Sequence, residues 1–231
     1  MRNILITGVG SGLGKALAQT YLEKGDKVYA IGRTFPKAFD HSSLFFFFPY
    51  DLNETFMLKE SLKAFIKGHT FDIVILNAGI LGEIKILQQT NLEEIKRVME
   101  LNVWANKELI DTLIENATVK QIVGISSGAG VHGSKGWGAY ALSKAALNML
   151  VNIYAKEVPQ IHFAALAPGV IDTPMIHQII DHVDAKEFPS VERLKNGPIQ
   201  KAEDAAKLLV NTFDELLKYE SGSFIDIRKI P

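Results

Sequence analysis

The chain has 231 residues, 47% of them hydrophobic, with a formal net charge of −1 and no cysteine. That length suits one α/β domain with a large core. The charge balance gives no electrostatic case for nucleic acid or an anionic membrane, and without cysteine there are no disulfides, thiol nucleophiles or thiolate metal sites, which fits a reducing, cytoplasmic compartment.

The N-terminus carries one basic residue and then an apolar strand over 2–7, unlike a secretory signal. The strand runs into Gly8-Val9-Gly10-Ser11-Gly12-Leu13-Gly14, and an amphipathic helix follows over 12–24. Strand, glycine turn and helix start are the context in which a glycine pattern binds a dinucleotide. Gly8 permits the tight turn, Gly12 lets the backbone approach a pyrophosphate, Gly14 allows close helix–strand packing, and the helix N-terminus supplies amides to the anion. A second strand over 27–32 closes on Arg33-Thr34, and no carboxylate occurs between Asp26 and Asp40. An acid at that strand end would hold a ribose 2′-hydroxyl, whereas an arginine fork suits a 2′-phosphate. The sequence therefore favours NADP(H) over NAD(H).

The run Phe45-Phe46-Phe47-Phe48 is far too short to span a bilayer. It reads as a fully buried parallel strand over 44–50. Further strands are expected near 71–76, 120–125, 160–166 and 223–227, and helices near 53–67, 91–116, 138–157, 174–183 and 201–218. This alternation predicts a single-domain, doubly wound α/β Rossmann fold over 1–231: a seven-stranded, mostly parallel sheet with helices on both faces. The least regular stretch, 172–200, mixes three prolines and a glycine with charges and reads as a loop–helix–loop excursion.

Ligands of such sheets lie beyond the carboxyl ends of the strands. Three marks fall there: Asn77-Ala78-Gly79, Ser126-Ser127, and Pro168-Gly169-Val170 leading to Thr173 and Met175. Tyr140 and Lys144 follow the fifth strand. Four apart, they lie on one helix face. A phenol acts as an acid near neutral pH when its anion is stabilised, and an ammonium one turn away lowers its pKa. A serine hydroxyl from the strand end could then orient a substrate oxygen. Ser127 precedes Tyr140 by thirteen residues; Ser126 is its rival for that role.

Taken in order, Thr7-Gly8-x-x-x-Gly12-x-Gly14, Asn77-Ala78-Gly79, Asn102, Ser127, Tyr140-x-x-x-Lys144 and Pro168-Gly169 resemble the short-chain dehydrogenases/reductases, over essentially the whole chain. The segments around Tyr140 and Met175 look more narrowly like bacterial benzil or sepiapterin-type carbonyl reductases. The resemblance implies that Tyr140 protonates a carbonyl oxygen, or deprotonates an alcohol. Lys144 would lower the Tyr140 pKa and bind the nicotinamide ribose. Ser127 would hold the carbonyl, and Asn102 would fix a water on a proton path. It further implies that Asp51 and Leu52 meet the adenine, that Thr173 meets the carboxamide, that 172–200 covers the substrate, and that the protein forms a homodimer or homotetramer through helices 91–116 and 138–157.

His132, Trp137 and Met175 are candidate substrate contacts; a solvated histidine and a loop-packing tryptophan are the alternatives. No metal-ligand spacing such as H-E-x-x-H occurs. The partner implied is a small, apolar or aromatic ketone or alcohol. The competing expectations are a cofactor sensor without turnover and a sugar-nucleotide epimerase or dehydratase. Against the first, Asn102, Ser127, Tyr140 and Lys144 are all present. The glycine spacing and the lack of a C-terminal substrate domain weigh against the second.

Overall fold

The computed structural model describes residues 1–230. Strand β1 (Asn3–Thr7) alternates its side chains between the two faces of a sheet: Ile4 and Ile6 enter one core, Leu5 the other. Helix α1 (Gly12–Glu23) follows the glycine turn and returns to β2 (Lys27–Gly32). Then come β3 (Phe45–Pro49), α2 (Thr55–Ile66), the two-residue β4 (Thr70–Phe71) and β5 (Ile73–Leu76). After them lie α3 (Leu92–Met99), α4 (Ala105–Asn116), the short β6 (Thr118–Val119), β7 (Gln121–Ile125) and α5 (Gly138–Glu157). The chain ends with β8 (His162–Ala167), α6 (Pro174–His182), α7 (Pro189–Asn196), α8 (Ala202–Leu216) and β9 (Ser223–Asp226).

Seven strands form one sheet in the order β3-β2-β1-β5-β7-β8-β9, and every pairing is parallel. The order reverses beside β1, which opens a crevice at the carboxyl ends of β1 and β5. One face is covered by α1 and α8 through Leu17, Tyr21, Leu209 and Phe213. The other is covered by α2, α4 and α5 through Leu58, Leu62, Leu109, Leu147 and Val151. Full burial of both faces is why the central strands are continuous apolar runs.

Three expectations change. The phenylalanine strand is an edge strand, not a fully buried one: β3 pairs only with β2, and Phe46 is 37% exposed, stacked on Tyr29 at 4.9 Å. At a sheet edge neither face is covered across its full width. The helix expected over 91–116 is broken by a π-helical turn, Glu100–Trp104. The wider turn places Asn102 inward at 0% exposure, where a polar side chain must find partners. The 172–200 excursion contains a second helix, α7, beyond the one expected. Its ends are strapped together where the Gln200 amide donates to the Val170 carbonyl at 3.0 Å and the Asp172 amide to the Gln200 carbonyl at 2.8 Å.

Candidate active site

The glycine turn is held by the end of β5. The Thr7 hydroxyl accepts the Asn77 and Ala78 amides, each at 3.0 Å, and the Asn77 side-chain amide donates to the Thr7 and Gly8 carbonyls at 3.0 and 3.1 Å. Asn77 is thus spent on shaping the turn. Gly8 has φ +75, and a methyl on Gly14 would lie 2.2 Å from the Gly8 carbonyl oxygen and 2.4 Å from Asn77 Nδ2. Both positions require glycine. A methyl on Gly12 would lie 3.0 Å from the Thr173 methyl, so the start of the excursion crosses the turn. Ser11 caps α1 by position but makes no side-chain cap bond, which leaves the first-turn amides to a ligand. Leu13 anchors that turn in the core.

Arg33 and Thr34 stand exposed at the end of β2, and the Thr34 carbonyl lies 3.7 Å from where a Gly10 side chain would begin. Across from them, Asp51 accepts the Asn53 amide at 3.0 Å; this bond, and more weakly the Arg33 guanidinium, hold its carboxyl below the usual range. The Leu52 side chain is buried in the core. Pro168, Gly169 (φ +85) and Val170 leave β8 on the same edge. A tight glycine turn, first-turn helix amides that no side chain caps and an exposed arginine together fit a dinucleotide.

Helix α5 brings the reactive side chains to this crevice. The Lys144 ammonium is buried and donates to the Ile125 carbonyl at 2.8 Å, at the last residue of β7. Desolvation lowers its pKa to about 8. The next hydroxyls diverge. Ser126 is buried and donates to Asn148 Oδ1 at 2.5 Å, whereas Ser127 accepts the Ala129 amide at 3.1 Å and faces the Tyr140 phenol. The geometry therefore brings Ser127, and not Ser126, to Tyr140. Burial pushes the phenol up to about 12, partly offset by the Ser127 hydroxyl. The Lys144 ammonium lies 5.5 Å from the Tyr140 ring centroid, and its hydrogen bond goes to the Ile125 carbonyl and not to the phenol.

Asn102 reaches the site as a brace. Its Oδ1 accepts the Ile80 amide at 2.8 Å, and its Nδ2 donates to the Ile80 carbonyl at 2.8 Å and to the Ser143 hydroxyl at 2.9 Å. Gly79 fits between Asn102 Oδ1 and Lys144 Nζ, which a methyl there would meet at 3.1 and 3.6 Å.

The open side of Tyr140 is apolar. Trp137 meets it edge-on at 6.0 Å, and Met175, Ile176, Phe188 and Val191 complete a third hydrophobic cluster. The excursion is docked there: Trp137 Nε1 donates to Ser190 Oγ at 2.7 Å, and the Phe188 ring occupies the space of a side chain at Gly136 (φ +90). Trp137 and Met175 are thus brought to Tyr140. His132 is exposed on the turn beyond, its amide bonded to the Gly128 carbonyl. Sequence reasoning missed Phe188, Ser190 and Asn148. Only Asn148 had a signal, since it continues the Tyr140–Lys144 stripe by another four residues.

Residues 2–184 match the short chain dehydrogenase family. The chain belongs to that family. It is 32% identical to benzil reductase ((S)-benzoin forming) of Bacillus cereus, over 98% of this chain and 99% of that protein. It is 29% identical to the Bacillus subtilis enzyme of the same name, over 99% of both, and 29% identical to sepiapterin reductase of Bos taurus, over 67% of this chain and 61% of that one. The crystal structure of the YIR035C short chain dehydrogenase/reductase from Saccharomyces cerevisiae superposes with a TM-score of 0.87 at 25% identity, covering 100% of this chain and 97% of that one. These relatives are oxidoreductases, and the family binds a nicotinamide dinucleotide. Among the described residues no helix is long and apolar enough to cross a membrane.

Burial of Lys144 has a measurable sign. Its pKa is lowered from 10.5 to about 8 on folding. Across that window the unfolded chain binds more protons, so stability rises with pH. Tyr140 acts oppositely, but only between 10.0 and about 12. From about pH 8 to about pH 10, cofactor-free wild type should therefore gain stability relative to Lys144→Met in urea unfolding; a difference constant across that range contradicts a buried, depressed lysine.

Proposed function

We propose that the chain is an NADP(H)-dependent carbonyl reductase acting on small apolar or aromatic ketones, and on the alcohols in reverse. The observation that carries this reading is the placement of Tyr140: its phenol meets Ser127, the buried Lys144 ammonium lies over its ring, and it joins the apolar wall of Trp137, Met175 and Phe188. An aromatic ketone lies against that wall with its oxygen toward Ser127 and Tyr140. When bound, the nicotinamide cofactor supplies the hydride for the carbonyl carbon. Ser127 hydrogen-bonds the carbonyl oxygen. Tyr140 gives that oxygen its phenolic proton, leaving a phenolate that the Lys144 ammonium stabilises. Asn102 holds Ser143 and the 79–80 backbone so that Lys144 keeps its place. Positioned acids of this kind contribute roughly 10²–10⁴-fold in rate.

The substrate class rests also on likeness to enzymes named for benzil reduction. The phosphate preference rests on Arg33, exposed beside Gly10 with no competing carboxylate on its own strand end. Thr34 adds a hydroxyl to that site, while Asp51 and the Leu52 backbone face the adenine and Thr173 the carboxamide.

NADPH oxidation with benzil and a panel of aryl ketones tests the chemistry. Tyr140→Phe is expected to retain NADPH binding and lose roughly 10²-fold or more in kcat; near-normal turnover would remove Tyr140 from its role. Arg33→Asp is expected to raise KM for NADPH well above its effect on NADH, and equal changes in both would show that Arg33 does not read the phosphate.

A further inference from the structure

Helix α5 presents three polar side chains at four-residue intervals, Tyr140, Lys144 and Asn148, on one face. The end of β7 presents three consecutive groups to them. The Ile125 carbonyl takes the Lys144 ammonium, the Ser126 hydroxyl takes Asn148, and the Ser127 hydroxyl faces Tyr140. Two of these contacts belong to the chemistry proposed above. The third, Ser126–Asn148, touches no reacting atom.

We propose that Asn148 is a positioning residue, which sets the Ser127–Tyr140 geometry by holding Ser126; this rests on the catalytic reading above. Successive side chains of an extended strand point to opposite faces. Ser127 is extended, with φ −154 and ψ 152, and caps the short turn Gly128–Gly130. Anchoring Ser126 therefore fixes the direction in which the next hydroxyl leaves the chain. The same turn is seated on α5 itself: a methyl on Gly130 would lie 2.8 Å from the Lys144 carbonyl carbon, 2.9 Å from the Ala145 nitrogen and 3.0 Å from Asn148 Nδ2. So Asn148 bounds the contact from both sides, accepting from Ser126 and abutting Gly130. Ser126 is 3% exposed, and without Asn148 its hydroxyl would be left buried without that partner. Strand end and helix would then be free to shift, and displacement of about 1 Å at such a site costs up to roughly 10²-fold in rate.

The test is a kinetic cycle on Ser126→Ala, Asn148→Ala and the double variant, with NADPH and benzil, and Tyr140→Phe in parallel. Each single change should lower kcat about tenfold with KM for NADPH unchanged. The double variant should lose no more than either single one, because both remove one contact. Asn148→Asp keeps an acceptor for Ser126 and should recover most of kcat, a readout that survives even if the alanine variant fails to fold. Unchanged kcat in Asn148→Ala, losses that multiply in the double variant, a loss confined to KM for NADPH, or no recovery in Asn148→Asp would each overturn the proposal. If Tyr140→Phe is inactive and Asn148→Ala is normal, this inference alone fails. If Tyr140→Phe turns over normally, the catalytic reading fails and this inference falls with it.

Discussion

The Lys144 ammonium, 5% exposed, donates to the Ile125 carbonyl at 2.8 Å and ties helix α5 to the end of β7. A charge taken out of water is costly unless it is met by polar groups. Here the environment supplies one main-chain carbonyl and the face of the Tyr140 ring, and the lysine responds with a pKa lowered to about 8. Tyr140, only partly buried, is under the complementary constraint, desolvation favouring its neutral form up to about 12. Each group is therefore poised to change when an anion or a cation arrives beside it.

The rest of the architecture keeps that pair in register with the crevice. Asn102, turned inward by the π-helical interruption, ties the residues after β5 to Ser143 on α5. Asn77 ties the end of β5 to the glycine turn. From glycine turn to Tyr140 the connections run through the hydrogen bonds of Asn77, Asn102 and Ser143, so the turn and the phenol share one frame. The open side of Tyr140 is built differently. It is an apolar cluster docked by Phe188 and the Trp137–Ser190 bond on a segment strapped only at its base. Segments of that kind govern access in many enzymes.

The parallel sheet, the glycine turn and the Ser127–Tyr140–Lys144 grouping were legible in the sequence because each has a local signature: apolar runs of strand length, glycines between strand and helix, polar residues at fixed spacing. What was not legible depended on neighbours distant in the chain. The exposure of Phe46 follows from the strand order, which no stretch of β3 encodes. The π-helical turn at Asn102 is recognisable only once Ile80 and Ser143 are seen to satisfy its amide. Helix α7 is eight residues long with a weak apolar pattern, and it is held by Phe188 and Val191 in the apolar cluster against which Tyr140 packs. The effect of Lys144 on Tyr140 was read from spacing alone, which fixes the shared helix face but not the direction of the ammonium.

On the catalytic reading proposed above, Tyr140 is an acid whose strength depends on the occupant of the crevice. Phenolate absorbance, taken as wild type minus Tyr140→Phe across pH, measures this directly. In the cofactor-free protein Tyr140 should remain un-ionised past the ordinary phenol value of 10.0. With oxidised nicotinamide dinucleotide bound, the added positive charge should bring its midpoint below that value. A midpoint that does not move with the cofactor, or one already below 10.0 without it, would rule out a phenol tuned by that occupant.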